Sequence, residues 1–277
     1  MIVGNQSGLH VIAVVSNPIR YESRYRLYDI FAEDIQRKGA RLWTVEMQTG
    51  ARPARITTGT NEAQLQLWSS ALPGELWHKE NLINVALQFL TQKDPSWRYV
   101  AWVDADIKFE PGMFDETIHA LQHWDIVQMW SHAIDFGPDQ ETLGVHQGFM
   151  YCYWKGIKPS GKNRYYDDQG HPGFAWAARR EAINKLGGLI DYGILGSADR
   201  HMACGLVGDI LSSVHGDIHG NYKKWLSIWA DRATKNIKRN VGYVPGTIRH
   251  MWHGRKANRG YSSRWRILVE NQFDPEL

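Results

Sequence analysis

The sequence predicts an α/β protein with one mostly parallel sheet flanked by helices. Short β-branched runs alternate with longer segments whose apolar residues recur at helical spacing, the pattern of repeated β-α-β units. The run YVAWV at residues 99–103 is apolar on both alternating faces, as in a strand covered by helices on both sides. At 277 residues, with no internal repeat, the chain fits a single domain with a basic C-terminal extension.

The first fifty residues predict a β-α-β unit. HVIAVVS at residues 10–16 is a compact strand run, which Asn17 and Pro18 end. Residues 24–39 carry apolar side chains at helical spacing and stop at Gly39. Residues 40–48, ARLWTVEMQ, then predict a second strand parallel to the first.

The middle of the chain continues this alternation and then loses it. We expect a loop with a short strand at residues 50–64, a helix at 74–92, a helix at 112–124 and a strand at 125–131. Between Asp135 and Asp168 the pattern dissolves into glycine, proline, aromatic and charged residues. This segment predicts an excursion over the sheet edge, or a subregion that faces the substrate.

The C-terminal half predicts one more strand and three helices before a long loop. The strand is GFAWAA at residues 173–178, and the helices cover residues 179–188, 197–208 and 220–240. The following segment PGTIRHMWHGRKANRGYSS, residues 245–263, has the composition of a loop throughout.

Charge is distributed unevenly along the chain. Residues 220–277 contain 12 lysines and arginines against 4 aspartates and glutamates, whereas residues 1–219 contain 20 against 25. A basic segment on an acidic body indicates an anionic partner, such as phosphates or nucleic acid. A solvated basic surface without a partner is an equally good interpretation for any single residue in it.

Cysteine use and hydropathy indicate a cytoplasmic protein. Cys152 and Cys204 are far apart and have neither metal-ligand spacing nor a disulfide pattern, so we expect reduced thiols. The N-terminal residues show no signal-peptide pattern, and no apolar run approaches the roughly 20 residues that a spanning helix needs. We therefore expect no membrane-spanning segment.

Two aspartates follow the buried run at its carboxyl end. Asp104 and Asp106 lie one residue apart in VDADI, at the edge of a sheet where α/β proteins bind their ligands. Two carboxylates this close favour a neutralising cation, and Mg²⁺ and Mn²⁺ share carboxylate oxygens with substrate phosphates. The pattern predicts a divalent metal site facing a diphosphate. The alternative is a turn in which one aspartate caps the strand end and the other lies in solvent.

The order of elements and motifs resembles the GT-A class of nucleotide-sugar glycosyltransferases, of the family 2-like or galactosyltransferase-like kind. The resemblance lies in the β-α-β opening, in VDADI after a buried strand, and in HPGFAWAARREAINKLGGLIDYGILGSADRHMA. It implies a Rossmann-like GT-A fold, a Mn²⁺ or Mg²⁺ cofactor, and transfer of a hexosyl group from a nucleotide sugar, with UDP-sugar as the expected donor.

The resemblance also implies roles for the acidic residues and one histidine. Asp106 corresponds to the more direct metal ligand, and Asp104 to a ligand that reaches the ribose or a metal-bound water. Asp191 and Asp199 fall in the acceptor-side segment, where Asp199 matches the general base of inverting members. Ala198 stands where many relatives have glutamate, so inversion and retention of configuration both stay open.

The remaining assignments concern the third metal ligand and the donor. Of His250 and His253, the resemblance favours His253 as the metal ligand, with Arg255 and Lys256 contacting the donor phosphates. The other donor-binding candidates are Asn17, Pro18 and Arg20 after the first strand, and Lys79 at a helix start. In HPGFAW, Gly173 allows close approach of a sugar, whereas Trp176 is either a stacking platform or a core residue.

The resemblance assigns residues 1–219 to a catalytic core and residues 220–277 to a basic helix and loop that complete the donor and metal site. The acceptor stays open between a glycan and a modified DNA base, which would have to be flipped out of a duplex.

The sequence also permits two functions other than glycosyl transfer. A nucleotidyltransferase would use the same aspartates but usually carries a glycine-rich basic signature near the first strand, which VVSNPIRY lacks. A non-catalytic sugar- or nucleic-acid-binding module would bind without regard to divalent metal.

Overall fold

The computed structural model describes residues 8–70, 73, 75–157, 169–255, 260 and 263–277. Its strands, numbered β1 to β11 in chain order, form a seven-stranded and a four-stranded sheet. The strands of the larger sheet are β1 Leu9–Ser16, β2 Arg41–Thr49, β3 Gln64–Ser69, β4 Tyr99–Val103, β6 Ile126–Gln128, β9 Ala175–Arg179 and β10 Val241–Tyr243. Those of the smaller sheet are β5 Ile107–Phe109, β7 His132–Phe136, β8 Thr142–Gln147 and β11 Thr247–His250.

The larger sheet has the order β10-β6-β9-β4-β1-β2-β3 and is mostly parallel. β4, β1, β2 and β3 pair in parallel, as do β10 and β6, and β9 is antiparallel to both of its neighbours. This arrangement confirms the predicted α/β class with a mostly parallel sheet. The central position of β4 places its carboxyl end at the middle of one sheet edge, where side chains from several loops can meet.

The described helices, numbered in chain order, cover both faces of this sheet. They are α1 Glu22–Arg37, α2 Lys79–Lys93, α3 Met113–Ala120, α4 Phe149–Trp154, α5 Arg180–Leu186, α6 Ala198–Leu206, α7 Gly220–Asn236 and α8 Arg264–Glu270, and a 3₁₀ turn follows α6 at Ile210–Ser213. None of these described helices is long and apolar enough to cross a membrane.

Two hydrophobic cores explain why strand β4 is apolar on both of its faces. In β4, Val100 and Trp102 pack into one core together with α2, whereas Ala101 and Val103 pack into the other. The side chains of a strand alternate between its faces, so a strand covered on both sides needs apolar residues at every position. This burial confirms the prediction for YVAWV.

The smaller sheet corrects one prediction and adds detail to another. Residues 245–263 contain strand β11 rather than loop throughout. In the segment from Asp135 to Asp168 the chain completes a β7–β8 hairpin and forms α4, and residues 158–168 lie outside the described residues. β11 pairs with β5 and β7, which precede it by more than a hundred residues. Such long-range pairing leaves no local periodicity, and Pro245 and Gly246 gave the segment its loop-like composition.

Two further boundaries differ from the predictions. The helix expected at residues 74–92 begins at Lys79, and β3 begins where the predicted loop at residues 50–64 ends. The basic C-terminal segment contributes to both sheets, with β10 at an edge of the larger and β11 inside the smaller. Helix α7 of this segment packs against α5 and α6.

Candidate metal and donor site

The turn after β4 carries the chain from the larger sheet to the smaller one. The amide of Asp104 donates to the Phe174 carbonyl over 2.8 Å, and the amide of Ile107 donates to the Asp104 carbonyl over 3.2 Å. The Asp106 carbonyl accepts from the amide of Met251 over 2.9 Å. The turn is therefore held by backbone contacts to the residue before β9 and to the segment after β11, which fixes Asp104 and Asp106 between the two sheets.

Asp106 faces two histidines from the C-terminal segment. The Oδ2 atom of Asp106 lies 3.1 Å from His253 Nε2, and its Oδ1 atom lies 3.8 Å from His250 Nε2. One ligand atom from each residue can be chosen so that all three lie within 4.8 Å of one another. His250 ends β11, where its backbone pairs with that of Ile107. The structure thus brings both candidate histidines to the same carboxylate.

These three side chains fit a divalent cation. Oδ1 of Asp106 is buried and accepts no hydrogen bond from the described part of the chain. A buried carboxylate oxygen without a donor is costly unless a cation compensates it. Although burial by itself raises the pKa of Asp106, His250 and His253 facing it bring the pKa below its ordinary value. Asp106 is therefore ionised, as a metal ligand must be.

Asp104 has a different environment. Its carboxylate forms an ion pair with Lys79, the first residue of α2. Burial and the negative charge of Asp106 nevertheless raise the pKa of Asp104. Burial disfavours the charged form of Lys79, but Asp104 and Glu80 outweigh it and raise the pKa of Lys79. Lys79 is thus a fixed positive charge beside the three-residue cluster, at a helix start where anions are favoured.

Asp199 and His171 both lie close to Gly173, on the side where a side chain would project. A methyl group built on Gly173 would lie 2.9 Å from Asp199 Oδ2 and 3.0 Å from His171 Cε1. The other oxygen of Asp199, Oδ1, accepts the amide of Arg200 over 2.8 Å, in the first turn of α6. The negative charge of Asp199 also contributes to the raised pKa values of Lys79 and Asp104. Asp199 therefore belongs to the same electrostatic site as the aspartate pair.

Asp191 lies against α2. Its Oδ2 accepts from Asn84 Nδ2 over 3.1 Å and from Asn81 Nδ2 over 3.4 Å. These contacts hold the GGLID segment on α2. No contact joins Asp191 to the metal cluster among the described residues.

Trp176 is buried in the core and donates from Nε1 to the Pro172 carbonyl over 2.7 Å, so it does not stack on a sugar.

The turn after β1 is closed by its own side chains. Asn17 Oδ1 accepts the Tyr21 amide, and Asn17 Nδ2 donates to the Tyr21 carbonyl, both over 3.0 Å. Arg20 has a left-handed backbone, with φ of 56°, and donates to the Pro53 carbonyl over 2.7 Å. The Pro18 carbonyl accepts from Arg52. The turn is linked in this way to the loop after β2.

Of the two remaining donor candidates, Arg255 is exposed and follows His253 of the metal cluster by two residues, whereas Lys256 lies outside the described residues.

Four residues near the site belong to no recognisable sequence motif, and the sequence did not predict them as site residues. Asp135 and His146 lie behind His250, on β7 and β8. Arg24 helps to lower the pKa of Asp106, and burial raises the pKa of Glu80 to about 7. The available signal was weak: Asp135 is a charged residue within the strand-like run HAIDF, and Glu80 directly follows Lys79.

Neither a protein-family model nor a curated protein sequence matches the chain. Solved structures give matches at low identity. A mutant of Drosophila β-1,4-galactosyltransferase 7, in complex with manganese, UDP-Gal and xylobiose, is 14% identical, with a TM-score of 0.41, and the match covers 90% of this chain and 73% of that one.

Two further matches cover nearly the whole of both chains. A glycosyltransferase involved in glycosylating the major capsid of PBCV-1 is 9% identical over 91% of this chain and 97% of that one, with a TM-score of 0.34. A putative glucose-1-phosphate thymidylyltransferase from Bacillus anthracis, in complex with a sucrose, is 7% identical over 95% and 94%, with a TM-score of 0.39. All three TM-scores are below 0.5, so we base the function proposed below on the geometry of the site.

Proposed function

We propose that the protein is a metal-dependent glycosyltransferase that moves a hexosyl group from a nucleoside-diphosphate sugar to an acceptor hydroxyl. The observation that carries the proposal is the cluster of Asp106, His250 and His253, with its buried carboxylate oxygen that lacks a hydrogen-bond donor among the described residues. The cluster lies at the carboxyl end of the central strand β4, the position at which α/β sheets bind ligands. UDP-sugar is the proposed donor.

The donor set favours Mn²⁺ over Mg²⁺. Mg²⁺ prefers an octahedral shell of oxygens, whereas imidazole nitrogens suit later transition ions better. When bound, the ion would neutralise charge that builds up on the leaving diphosphate. Asp106, His250 and His253 would hold it, with Asp104 reaching the ribose or a metal-bound water.

The neighbouring side chains supply the remaining functions. The ammonium group of Lys79, whose charged form the Asp104 carboxylate stabilises, would bind an oxygen of the diphosphate. Asp199 would accept the proton of the acceptor hydroxyl. The absence of a side chain at Gly173 lets the Oδ2 atom of this carboxylate lie close to the backbone there.

The basic C-terminal segment also contributes to the proposed site. Its residues supply both histidines of the cluster, which supports the assignment of residues 220–277 to completion of the metal site beside a core of residues 1–219. Asn17, Pro18, Arg20, Arg255 and Lys256 are proposed donor contacts, and Asp191 a residue of the acceptor side. A glycan or a modified DNA base is the proposed acceptor.

The first test measures hydrolysis and transfer of nucleotide sugars with and without Mn²⁺. Wild-type protein should release nucleoside diphosphate only with the metal, and Asp106→Asn should lower the rate by at least about 100-fold because it removes the ionised ligand. Asp217→Asn, at an exposed aspartate, is the matched control and should keep the wild-type rate.

Three outcomes would contradict the proposal. Full activity in Asp106→Asn would remove this residue from the reaction. Pyrophosphate release from a nucleoside triphosphate would instead indicate a nucleotidyltransferase. Binding of sugar or DNA that does not depend on divalent metal, with no turnover of a nucleotide sugar, would indicate a non-catalytic binding module. Salt-dependent DNA binding then separates a DNA acceptor from a neutral glycan, because each neutralised phosphate releases counterions.

A further inference from the structure

We infer that Asp135 is a positioning residue that fixes the ring and the protonation site of His250, so that its Nε2 atom is available to a metal ion. This inference rests on the metal site of the proposed function and adds to it a residue outside the Asp-x-Asp and histidine motifs. Asp135 lies on β7, in the smaller sheet.

The contacts of Asp135 place it between two histidines. Its Oδ1 atom lies 2.8 Å from His250 Nδ1, and its Oδ2 atom lies 2.6 Å from His146 Nε2. The residue is only 3% exposed. Both distances are those of strong hydrogen bonds to a charged acceptor.

These contacts determine which nitrogen of His250 carries the proton. A carboxylate can only accept, so Nδ1 of His250 must donate to Asp135. In the neutral imidazole the lone pair then lies on Nε2, which is the atom that faces Asp106 at 3.8 Å. A carboxylate behind a histidine also makes the ring a better ligand, and loss of such a partner typically weakens metal binding 10–100-fold.

The smaller sheet holds the two residues in register. Asp135 and His250 are paired residues on the parallel strands β7 and β11, and His146 comes from the neighbouring strand β8. The His250 ring is further confined by Phe174, whose ring centre lies 4.8 Å away. A ligand placed by strand pairing keeps its orientation without the metal, so the effect of Asp135 is measurable in the metal-free protein.

The experiment compares wild type with Asp135→Ala, Asp135→Asn and the control Asp34→Asn. Asp34 is also a buried carboxylate, 2% exposed, but it lies on α1 and pairs with Arg37 and Lys38 at the end of that helix. Titration calorimetry with MnCl₂ measures metal affinity, and ¹⁵N NMR of histidine-labelled, metal-free protein identifies the protonated nitrogen of His250. Circular dichroism reports whether each variant is folded.

We expect Mn²⁺ to bind Asp135→Ala 10–100-fold more weakly than wild type. Its His250 should populate both neutral tautomers, whereas wild type shows protonated Nδ1 only. Asp135→Asn retains an acceptor oxygen, so it should fold if the alanine variant does not, and should lose less affinity. Asp34→Asn should keep the wild-type affinity even if its stability falls.

The inference is overturned if both Asp135 variants bind Mn²⁺ as tightly as wild type, or if His250 is protonated on Nε2 in the wild type. Failure of the wild type to bind Mn²⁺ would instead refute the proposed function. The NMR measurement would then decide the effect of Asp135 on His250 by itself.

Discussion

At the scale of single residues, Gly173 determines how closely the parts of the candidate site approach each other. The Asp199 carboxylate and the His171 ring both lie where a side chain of this residue would project, and its amide donates to His171 Nδ1 over 3.1 Å. The next residue, Phe174, has φ of 75° and stacks on the His171 ring with centres 4.2 Å apart. A non-glycine residue in the left-handed region is strained, and such residues occur often at binding sites.

Substituting Gly173 with alanine should lower transfer activity without changing metal affinity. The added methyl group would approach Asp199 Oδ2 to 2.9 Å and His171 Cε1 to 3.0 Å, so these side chains must shift. Displacing a catalytic group by a fraction of an ångström commonly costs on the order of 10-fold in rate. Steady-state kinetics at saturating donor and Mn²⁺ calorimetry test this expectation.

Gly144→Ala is the matched control, because a methyl group there meets no heavy atom within 4 Å. It should keep the wild-type rate. Equal rates for the Gly173 and Gly144 variants would show that the approach to Asp199 is unimportant for the reaction.

At the scale of secondary-structure elements, helix α2 connects the metal side of the site to the acceptor side. Its first residue, Lys79, pairs with Asp104, and one turn later Asn84 holds the segment that contains Asp191. Asn84 also exchanges two hydrogen bonds with the backbone of Leu189, at 2.8 Å and 3.0 Å. The helix therefore fixes the distance between the two proposed binding regions.

Replacing Asn84 with alanine should destabilise the protein by about 1–3 kcal/mol, because partly buried backbone groups of Leu189 lose their partner. Urea denaturation measures the change. Asn81→Ala removes only an exposed contact of 3.4 Å to Asp191 and should cost less than about 0.5 kcal/mol. Similar losses for both variants would contradict the anchoring role of Asn84.

At the scale of the whole molecule, buried titratable groups give opposite contributions to stability as the pH changes. Burial raises the pKa of Glu80 to about 7 and lowers the pKa of His201 to about 3. The Glu80 carboxyl group accepts from Trp77 Nε1 over 3.1 Å, and His201 Nδ1 lies 2.7 Å from Ser213 Oγ. Both groups are therefore neutral in the folded protein near neutral pH or just below it.

The sign of each contribution follows from proton linkage. Between about pH 4.5 and 7 the unfolded chain ionises Glu80 while the folded protein keeps its proton, so this group lowers stability as the pH rises. Below about pH 6.5 the unfolded chain protonates His201 while the folded protein does not, so this group lowers stability as the pH falls towards 3.

Two variants should therefore show opposite trends in urea denaturation between pH 4.5 and 8. The stability of Glu80→Gln relative to wild type should rise with pH, by up to about 3 kcal/mol. His201→Gln should lose some stability at every pH because the core packs less well. Relative to wild type, its stability should nevertheless rise as the pH falls, by an amount similar to that of Glu80→Gln. Parallel pH profiles for wild type and either variant would show that the group concerned is not buried in this way.

Local patterns predicted much of the larger sheet. The doubly apolar β4, the opening β-α-β unit and the helix before Gly187 all depend on residues close together in the chain. The Asp-x-Asp pair was predicted at the carboxyl end of β4 for the same reason, because the end of a buried strand can be read from composition alone. The motif order led us to expect a histidine ligand near residue 250, but it favoured His253 over His250.

The sequence by itself determined the α/β class, the covered central strand and the acidic pair that follows it, because each depends on short-range periodicity and burial. Only the tertiary structure decided that His250 and His253 face Asp106 together, that Lys79 pairs with Asp104, and that Asp135 lies behind His250. These contacts join residues up to 147 positions apart. Those of His250 and His253 depend on the pairing of β5, β7 and β11 in the smaller sheet, which no local pattern encodes.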